Sequence, residues 1–349
     1  MLRPRDSGSP WNQRVVDGEV RGETIGVTRA SKLRLYTWDN IEVGEEFGPL
    51  ESLLSELKLK LHAFAVDDYN PWYFQGSPFG ARIGHSTLLA TDILMLFMLN
   101  YDANPPTFEG GLHARNDLEF LKPIFVGQKV AIRGKTTEKY QKRGQSYRAL
   151  EGEVQDATGQ VCLRMWATET VGLAGSTPVG QRTSVPPPDA ITGEVPPGTP
   201  LVTQAGRWVP VGAALPSLTK QTSLEQSVAY SGFPHGWVEG GARGMWVNIH
   251  TDPGDARKHG QPDAVVQGLC SAAYISELCV NFFGPYWFTT GRLSTAFIRP
   301  VIVRDTITTS GLVRRFEEEG GRSRLWLDVW CKNQRGELTT VGRASALVG

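Results

Sequence analysis

The feature that most constrains the fold of this chain is a repeat in which three separate segments recur at one spacing. The spacing is 177 residues in a chain of 349, and it holds over about forty residues. The matched segments are Leu121–Val126 with Ile298–Val303, Arg143–Ser146 with Gly320–Ser323, and Asp156–Gln160 with Asn333–Glu337. A constant offset of this length is hard to obtain by chance, so the sequence indicates a duplicated domain.

The composition fits two globular domains of ordinary size. Apolar residues make up 40% of the chain and charged residues 21%, and Lys plus Arg equals Asp plus Glu at 36 each. Such a balance favours neither nucleic acid nor an anionic membrane as a partner. The longest apolar stretch, Ile93–Leu99, is far shorter than the roughly 20 residues that span a bilayer. We therefore expect a soluble protein with no nucleic-acid or membrane partner.

The first residues and the cysteines indicate the compartment. Residues 1–31 are polar and lack the apolar core of a signal peptide, and the acidic residues Asp6, Asp17, Glu19 and Glu23 argue against a transit peptide. The four cysteines show no Cys-x-x-Cys spacing and are expected to be buried free thiols rather than disulfides or zinc ligands. We predict a cytoplasmic location.

Hydrophobic patterning predicts an α+β fold in each half. A buried helix is expected from a cap at Ser86 or Thr87 to Leu99, and a second from Leu269 to Val280. Before the first helix, Ile41–Phe47 is expected to be a short strand leading into a turn. Strands are predicted at residues 112–121, 128–134, 146–154, 160–168, 293–297, 306–315, 324–331 and 339–347. One buried helix followed by antiparallel strands is typical of a curved sheet wrapped around a helix.

Composition also suggests the domain boundaries. Residues 173–215 are rich in Gly, Pro, Ser and Thr and are predicted to be a linker that does not form a packed core. We therefore predict an N-terminal arm over 1–38, a first domain over 39–172 and a second domain over 216–349.

The residues that best indicate chemistry lie in the second half. His250 and Asp252 precede a variable loop, and Gly268 then opens an apolar run of helical length. A histidine titrates near neutral pH, and the free N–H groups at a helix start can hold a developing oxyanion. The stretch therefore predicts an acid/base site.

The first half has an altered copy of this stretch. Extending the offset backwards sets Asp68–Tyr73 opposite Met245–His250, so that Tyr73 stands where the second half has His250. His85 precedes the first central helix and could replace the missing histidine.

At these residues the chain resembles the MaoC-like hydratase/dehydratase family, which is similar to the (R)-specific enoyl-CoA hydratases. The family signature is Asp-x-Asn-Pro-x-His, followed by a Pro-Ile-x-His-Gly-Leu segment at the head of a central helix. The first half keeps Asp68, Asn70 and Pro71, and the second keeps His250 and Gly268 but has Met245 in place of the aspartate. The resemblance implies a double hotdog fold, in which two curved antiparallel sheets each wrap a central helix.

The resemblance also implies an activity. The expected reaction is addition or removal of water at a 2-enoyl or 3-hydroxyacyl thioester, in fatty acid or polyketide metabolism. The thioester would be carried by CoA or an acyl carrier protein, with no other cofactor, and the chain could form a homodimer. The implied catalytic residues are His250, Asp252, Asp68, Asn70 and His85, and the implied oxyanion or substrate-binding residues are Gly268, Gln267, Asn248, His235 and Tyr73.

Several alternatives stay open at this point. Asp252 could instead cap a helix starting at Pro253, and Tyr73 could serve in packing. A metal site is not predicted, because the histidines and carboxylates near His250 lack any recognised ligand spacing. Rival functions are a thioesterase on the same fold and a non-catalytic acyl-thioester-binding partner in a biosynthetic pathway.

Overall fold

The structure is a computed structural model that describes residues 33–102, 111–142, 144–172, 190–232 and 247–349. His235 and Met245 lie outside the described residues.

The first half has two strands, then short helices, and then a run of longer strands. Its helices are α1 Glu56–Val66, α2 Pro71–Phe74 and α3 Ala90–Leu94, with a 3-10 helix over Met95–Leu99. Its strands are β1 Arg34–Leu35, β2 Glu46–Leu53, β3 Tyr101–Asp102, β4 His113–Phe120, β5 Lys129–Lys142, β6 Gln145–Asp156 and β7 Val161–Thr170.

The second half repeats this plan with a longer central helix. Its helices are α4 Leu224–Ser231, α5 Pro253–Lys258, α6 Gly268–Phe283 and α7 Trp287–Thr290, with a 3-10 helix over Gly284–Tyr286. Its strands are β8 Leu218–Gln221, β9 Val265–Val266, β10 Arg292–Phe297, β11 Val301–Ile302, β12 Thr306–Glu319, β13 Arg322–Lys332 and β14 Leu338–Val348.

Ten of these strands form one antiparallel sheet. Its order is β2-β5-β6-β7-β4-β10-β14-β13-β12-β8, so each half contributes five strands in mirrored order. The halves meet where β4 pairs with β10, with Glu119 opposite Arg292 and Asp117 opposite Ser294. Two further pairs, β1 with β3 and β9 with β11, form separate small sheets.

The turns confirm the duplication. Gly159 and Gly336 have φ of +80° and +75°, and each N–H donates to the carbonyl three residues earlier at 2.9 Å. Gly144 and Gly321 have φ of +77° and +78° in the two hairpins. Gly127 has φ of +85°, and Arg304, 177 residues later, keeps the left-handed conformation at +75° although it is not glycine. Equivalent turns therefore adopt the same backbone.

The second central helix is confirmed. In α6 only Gly268, Glu277 and Asn281 are not buried, because the helix lies against β12, β13, β14, β10 and β4. A helix that is apolar on almost every face is stable only when it is covered on all sides.

Two predicted elements of the first half were wrong in their limits. The first central helix begins at Ala90 rather than at Ser86 or Thr87, and it tightens to a 3-10 helix at Met95. Ile41–Phe47 was expected to be a strand, but the chain turns there, and the strand starts at Glu46. Gly44 takes a φ of +86°, which breaks an extended run.

Part of the predicted linker packs into the core. Val209 and Ala213 are buried. The Leu215 N–H donates to the Gly311 carbonyl at 3.0 Å, and the Gly212 N–H donates to the Val313 carbonyl at 2.8 Å. The absence of a packed core, expected for the whole of residues 173–215, is therefore wrong for this part. The domain boundaries themselves stay a prediction.

Other sequence expectations can be compared directly. Cys162, Cys270, Cys279 and Cys331 are buried free thiols, as predicted. None of the described helices combines the length and the apolar character needed to cross a bilayer.

Candidate active site

The first-half motif folds into a loop between α1 and α2 in which the Asp68 side chain is buried. Helix α1 ends at Asp67 in the left-handed region, with φ of +52°. The Asn70 side chain then caps α2 by accepting from the Trp72 N–H at 3.0 Å, and the Asn70 N–H donates to Asp68 Oδ1 at 3.1 Å. The Asn-Pro pair therefore turns the chain and fixes the Asp68 carboxylate.

Asp68 faces His85 and Tyr73. Its Oδ2 lies 3.1 Å from Nε2 of His85 and accepts from the Tyr73 hydroxyl at 3.2 Å. The side chains of His85 and Asp68 are only 1% and 4% exposed, and Tyr73 is fully buried. The structure thus brings together Asp68, Asn70, Tyr73 and His85 in one cluster, in which all but Asn70 are buried.

Nδ1 of His85 is hydrogen-bonded, whereas Nε2 lies 3.1 Å from Asp68 Oδ2 without hydrogen-bond geometry. Nδ1 accepts from the Thr87 N–H at 3.1 Å and lies 3.0 Å from the Thr87 hydroxyl. A neutral imidazole whose Nδ1 is an acceptor has its proton on Nε2, which faces the Asp68 carboxylate. No lone pair of this ring is left to accept a proton from substrate or water.

The electrostatics of the cluster keep Asp68 charged. Burial raises the pKa of Asp68, but His85, the Asn70 N–H and the charge of Lys220 together bring it below its ordinary value. Burial, followed by the negative charge of Asp68, holds the pKa of Tyr73 well above its usual range. Tyr73 therefore stays protonated and donates to a carboxylate.

A charged pair ties this cluster to the second half. Nζ of Lys220 donates to the Asp67 carbonyl and lies 2.7 Å from Oε2 of Glu277 on α6. Burial, and then the charge of Asp68, raise the pKa of Glu277 against the opposing charge of Lys220. The Ser86 and Ser276 hydroxyls are also in contact at 2.6 Å. The first-half motif is therefore packed against the second central helix.

The second-half motif is held in place by side chains that hydrogen-bond to the backbone of His250. Oδ1 of Asn248 accepts from the His250 N–H at 2.8 Å, and the His250 carbonyl accepts from the Ser227 hydroxyl at 2.7 Å. Asn248 is buried, so its amide fixes the loop.

The His250 ring uses one nitrogen and leaves the other free. Nδ1 lies 2.6 Å from the Val265 carbonyl, which can only accept, so Nδ1 has the proton. Nε2 then has a lone pair, and it has no hydrogen-bond partner among the described residues. His250 is half-buried, and burial lowers its pKa in spite of the bond to Val265. It is therefore a neutral imidazole that can accept a proton at neutral pH.

Asp252 caps a helix. Its Oδ1 accepts from the Asp255 N–H at 2.7 Å, and α5 begins at Pro253 as the capping alternative predicts. The structure shows no contact between Asp252 and the His250 ring.

The start of α6 is linked to His250 by the contact of the His250 ring with Val265, three residues before Gly268. Val265, which accepts from the His250 ring, belongs to β9, and Gln267 is the residue before the helix. Gln267 is 3% exposed, its Oε1 has no partner, and no described side chain caps the helix. The first N–H groups of α6 are thus available to an oxyanion.

Gly268 lets an aromatic ring approach the helix start. A Cβ at Gly268 would lie 3.1 Å from the Phe297 ring, tighter than ordinary contact. Only glycine gives this backbone room beneath the ring.

Several participants were missed from the sequence. Thr87, Ser227 and the Lys220–Glu277 pair have no motif context, and only the folded chain brings them to the clusters. His62 is buried with its ring centroid 4.8 Å from that of His85, and its Nε2 has no hydrogen-bond partner among the described residues. Within the described ranges, no group of three or more His, Cys, Asp or Glu side chains is arranged to hold a metal ion.

Comparison with known proteins identifies the fold. Residues 42–163 match the family model described as "FAS1-like, dehydratase domain region", which covers about a third of the chain. A search of curated protein sequences found no match.

Solved structures match almost the whole length. A protein described as a MaoC-like dehydratase has 17% identity and a TM-score of 0.66, covering 88% of this chain and 98% of its own. A putative MaoC domain protein dehydratase from Chloroflexus aurantiacus J-10-fl has 12% identity and a TM-score of 0.62, covering 92% and 99%. A conserved hypothetical protein from Mycobacterium tuberculosis, described as having a double hotdog fold, has 15% identity and a TM-score of 0.59, covering 89% and 98%.

These likenesses confirm the α+β double hotdog fold and the resemblance to MaoC-like dehydratases.

Proposed function

We propose that this double hotdog chain, similar in fold to MaoC-like dehydratases, is a hydratase or dehydratase that adds or removes water at a 2-enoyl or 3-hydroxyacyl thioester. The working site is in the second half, with His250 as acid and base and the Gly268 N–H as oxyanion donor.

The observation that supports this most strongly is the pairing of a free imidazole nitrogen with an uncapped helix start. The Nδ1 bond to Val265 fixes the tautomer of His250, and the same segment leads directly into α6. Hydration of an enoyl thioester requires these two groups: a base for water, and donors for the oxygen that gains charge.

One imidazole, that of His250, can perform both proton transfers of the hydration. Nε2 of His250 takes a proton from water, and the oxygen of that water bonds to the β-carbon of the enoyl group. Electron density moves to the thioester oxygen, where the N–H groups at the start of α6 stabilise it. The imidazolium then returns its proton to the α-carbon, so one water is added, and dehydration follows the reverse path.

The first-half cluster has a different role in this proposal. Nδ1 of His85 accepts from the Thr87 N–H, so the proton of the neutral ring is on Nε2, which faces the buried Asp68 carboxylate. Asp68, Asn70, Tyr73 and His85 would therefore hold the loop and α6 together rather than activate water. Asp252 would order the α5 loop beside His250.

The carrier and cellular setting also belong to the proposal. The thioester would be carried by CoA or by an acyl carrier protein, in fatty acid or polyketide metabolism. Four buried free thiols suit the reducing cytoplasm. Because both halves join in one sheet, a single chain can supply the unit, and a homodimer of such chains is compatible with it.

The test is to mix the purified protein with crotonyl-CoA and to follow enoyl absorbance and free thiol together. Loss of absorbance without thiol release supports hydration. Thiol release would indicate a thioesterase instead. Tight binding without turnover would indicate a non-catalytic acyl-thioester-binding partner.

A further inference from the structure

We propose that the acyl chain taken by the second-half site has oxygen substituents, and that Asn116 and Gln267 hydrogen-bond them. This inference rests on the proposed hydratase function and adds a substrate class to it.

Asn116 is a buried amide without a hydrogen-bond partner. It is 0% exposed, and neither Oδ1 nor Nδ2 has a partner in the part of the chain that the structure describes. It alternates with the buried Leu118 and Phe120 along β4, so its side chain is on the inner face of the sheet. This face packs against α6.

Gln267 presents a second such atom. Its Oε1 is buried and unpaired at the residue just before α6. Unpaired amide atoms therefore lie at the residue before the helix start, where the thioester oxygen is proposed to bind, and on the face of β4 that packs against the same helix.

The two amides are connected through β10. Thr295 lies opposite Asn116, and its hydroxyl donates to the Asn116 carbonyl at 3.2 Å. Phe297 is two residues farther along β10 and contacts Gly268. Two strand residues span roughly 7 Å, so Asn116 lies several carbon–carbon bonds beyond the thioester position.

Further polar groups extend the same inner face. His113 contacts Phe297, with ring centroids 4.9 Å apart, and lies opposite Glu169 on β7. Burial raises the pKa of Glu169 against the charge of Arg148, and Oε2 of Glu169 has no hydrogen-bond partner within the described ranges. A site for a plain hydrocarbon chain would place apolar side chains here.

The energetic argument concerns unpaired polar groups. Burying an amide without a hydrogen-bond partner is energetically unfavourable, and native proteins keep few such groups. A hydroxyl or carbonyl on the acyl chain would satisfy these atoms, whereas a plain alkyl chain would leave them unpaired. Sites of this kind discriminate strongly against analogues that lack the polar group.

The experiment compares kcat/KM for trans-2-octenoyl-CoA with its 5-hydroxy and 7-hydroxy analogues. We expect the wild-type protein to prefer at least one hydroxylated substrate by tenfold or more. Asn116→Leu should reduce that preference at least tenfold without lowering the Tm, because the amide it removes has no partner.

Asn333→Leu is the matched control. Both amide atoms of Asn333 are hydrogen-bonded, to Glu337 and Arg335, in a turn of the second half. This variant should lower the Tm and leave the substrate preference unchanged.

The outcomes separate the two proposals. Equal wild-type rates on all three substrates would overturn the inference while leaving the hydratase function intact. An unchanged preference in a folded Asn116→Leu protein would remove Asn116 from recognition and overturn the inference as stated. Failure to hydrate any of the three would overturn both.

Discussion

The two halves each have a histidine beside a central helix, and the difference between them lies in how the ring nitrogens are used. His85 accepts from Thr87 on one nitrogen and faces the Asp68 carboxylate with the other, inside a closed cluster. His250 donates to a backbone carbonyl, and its other nitrogen has no hydrogen-bond partner in the described part of the chain. An aspartate–histidine pair is therefore not by itself evidence of a base, because a base also needs an unoccupied lone pair.

Removing the free imidazole should give the largest effect. His250→Ala should lower kcat for crotonyl-CoA hydration by about a hundredfold to ten-thousandfold, the contribution typical of a positioned acid/base. Steady-state absorbance kinetics measures this. His259→Ala, on a histidine bonded to the Asp255 carbonyl, is the control and should keep full activity. An unchanged rate in His250→Ala would contradict the assignment.

Breaking the closed cluster should mainly change stability. Asp68→Ala should lower the free energy of unfolding by about 1–3 kcal/mol, since it leaves the buried Tyr73 hydroxyl without an acceptor and removes the carboxylate that faces His85. Denaturant unfolding measures the loss, and Asp117→Ala on the exposed face of β4 should change it by less than about 0.5 kcal/mol. If Asp68→Ala instead kept full stability and lost turnover, the first half would be the working site.

The pH dependence should follow His250. Burial lowers its pKa, so the neutral base persists below pH 6.5, and the acidic limb of kcat/KM should have its midpoint below that value. By the same shift, the unfolded chain takes up this proton first as the pH falls, so the contribution of His250 to stability is lost below about pH 6.5. A pH–rate profile with its acidic midpoint above 6.5 would indicate a different base.

The smallest effect should come from Asp252. Asp252→Ala removes the cap of α5 and should cost about 1 kcal/mol of stability, with less than about tenfold change in kcat. Thermal unfolding and crotonyl-CoA kinetics on one preparation measure both quantities. A large loss of turnover with unchanged Tm would give Asp252 a direct catalytic role.

Local patterns were enough for much of the fold. The constant spacing predicted the duplication because equivalent turns need equivalent backbone, as Gly159 and Gly336 show. The uninterrupted apolar run predicted α6 because a helix of that kind must be covered on every side. The first central helix was predicted too long, since apolar content does not reveal that the chain from His85 to Leu89 turns before the helix begins.

The candidate site likewise has residues that the sequence predicted and residues that it could not predict. Motif positions in the sequence pointed to Asp68, His85, His250 and Gly268. They could not reveal that Lys220 and Glu277 approach from the other half, or that Asn116 is buried without a partner, because those positions depend on how distant strands and helices pack.

The sequence alone determined that the chain has twin halves with buried helices and a histidine before each, since repeats, apolar periodicity and turn residues are local properties. Only the tertiary structure decided which imidazole is closed and which is available. The difference depends on the groups around each ring: Thr87 and Asp68 lie against His85, and the Val265 carbonyl lies against His250. These residues reach the rings only when the chain folds.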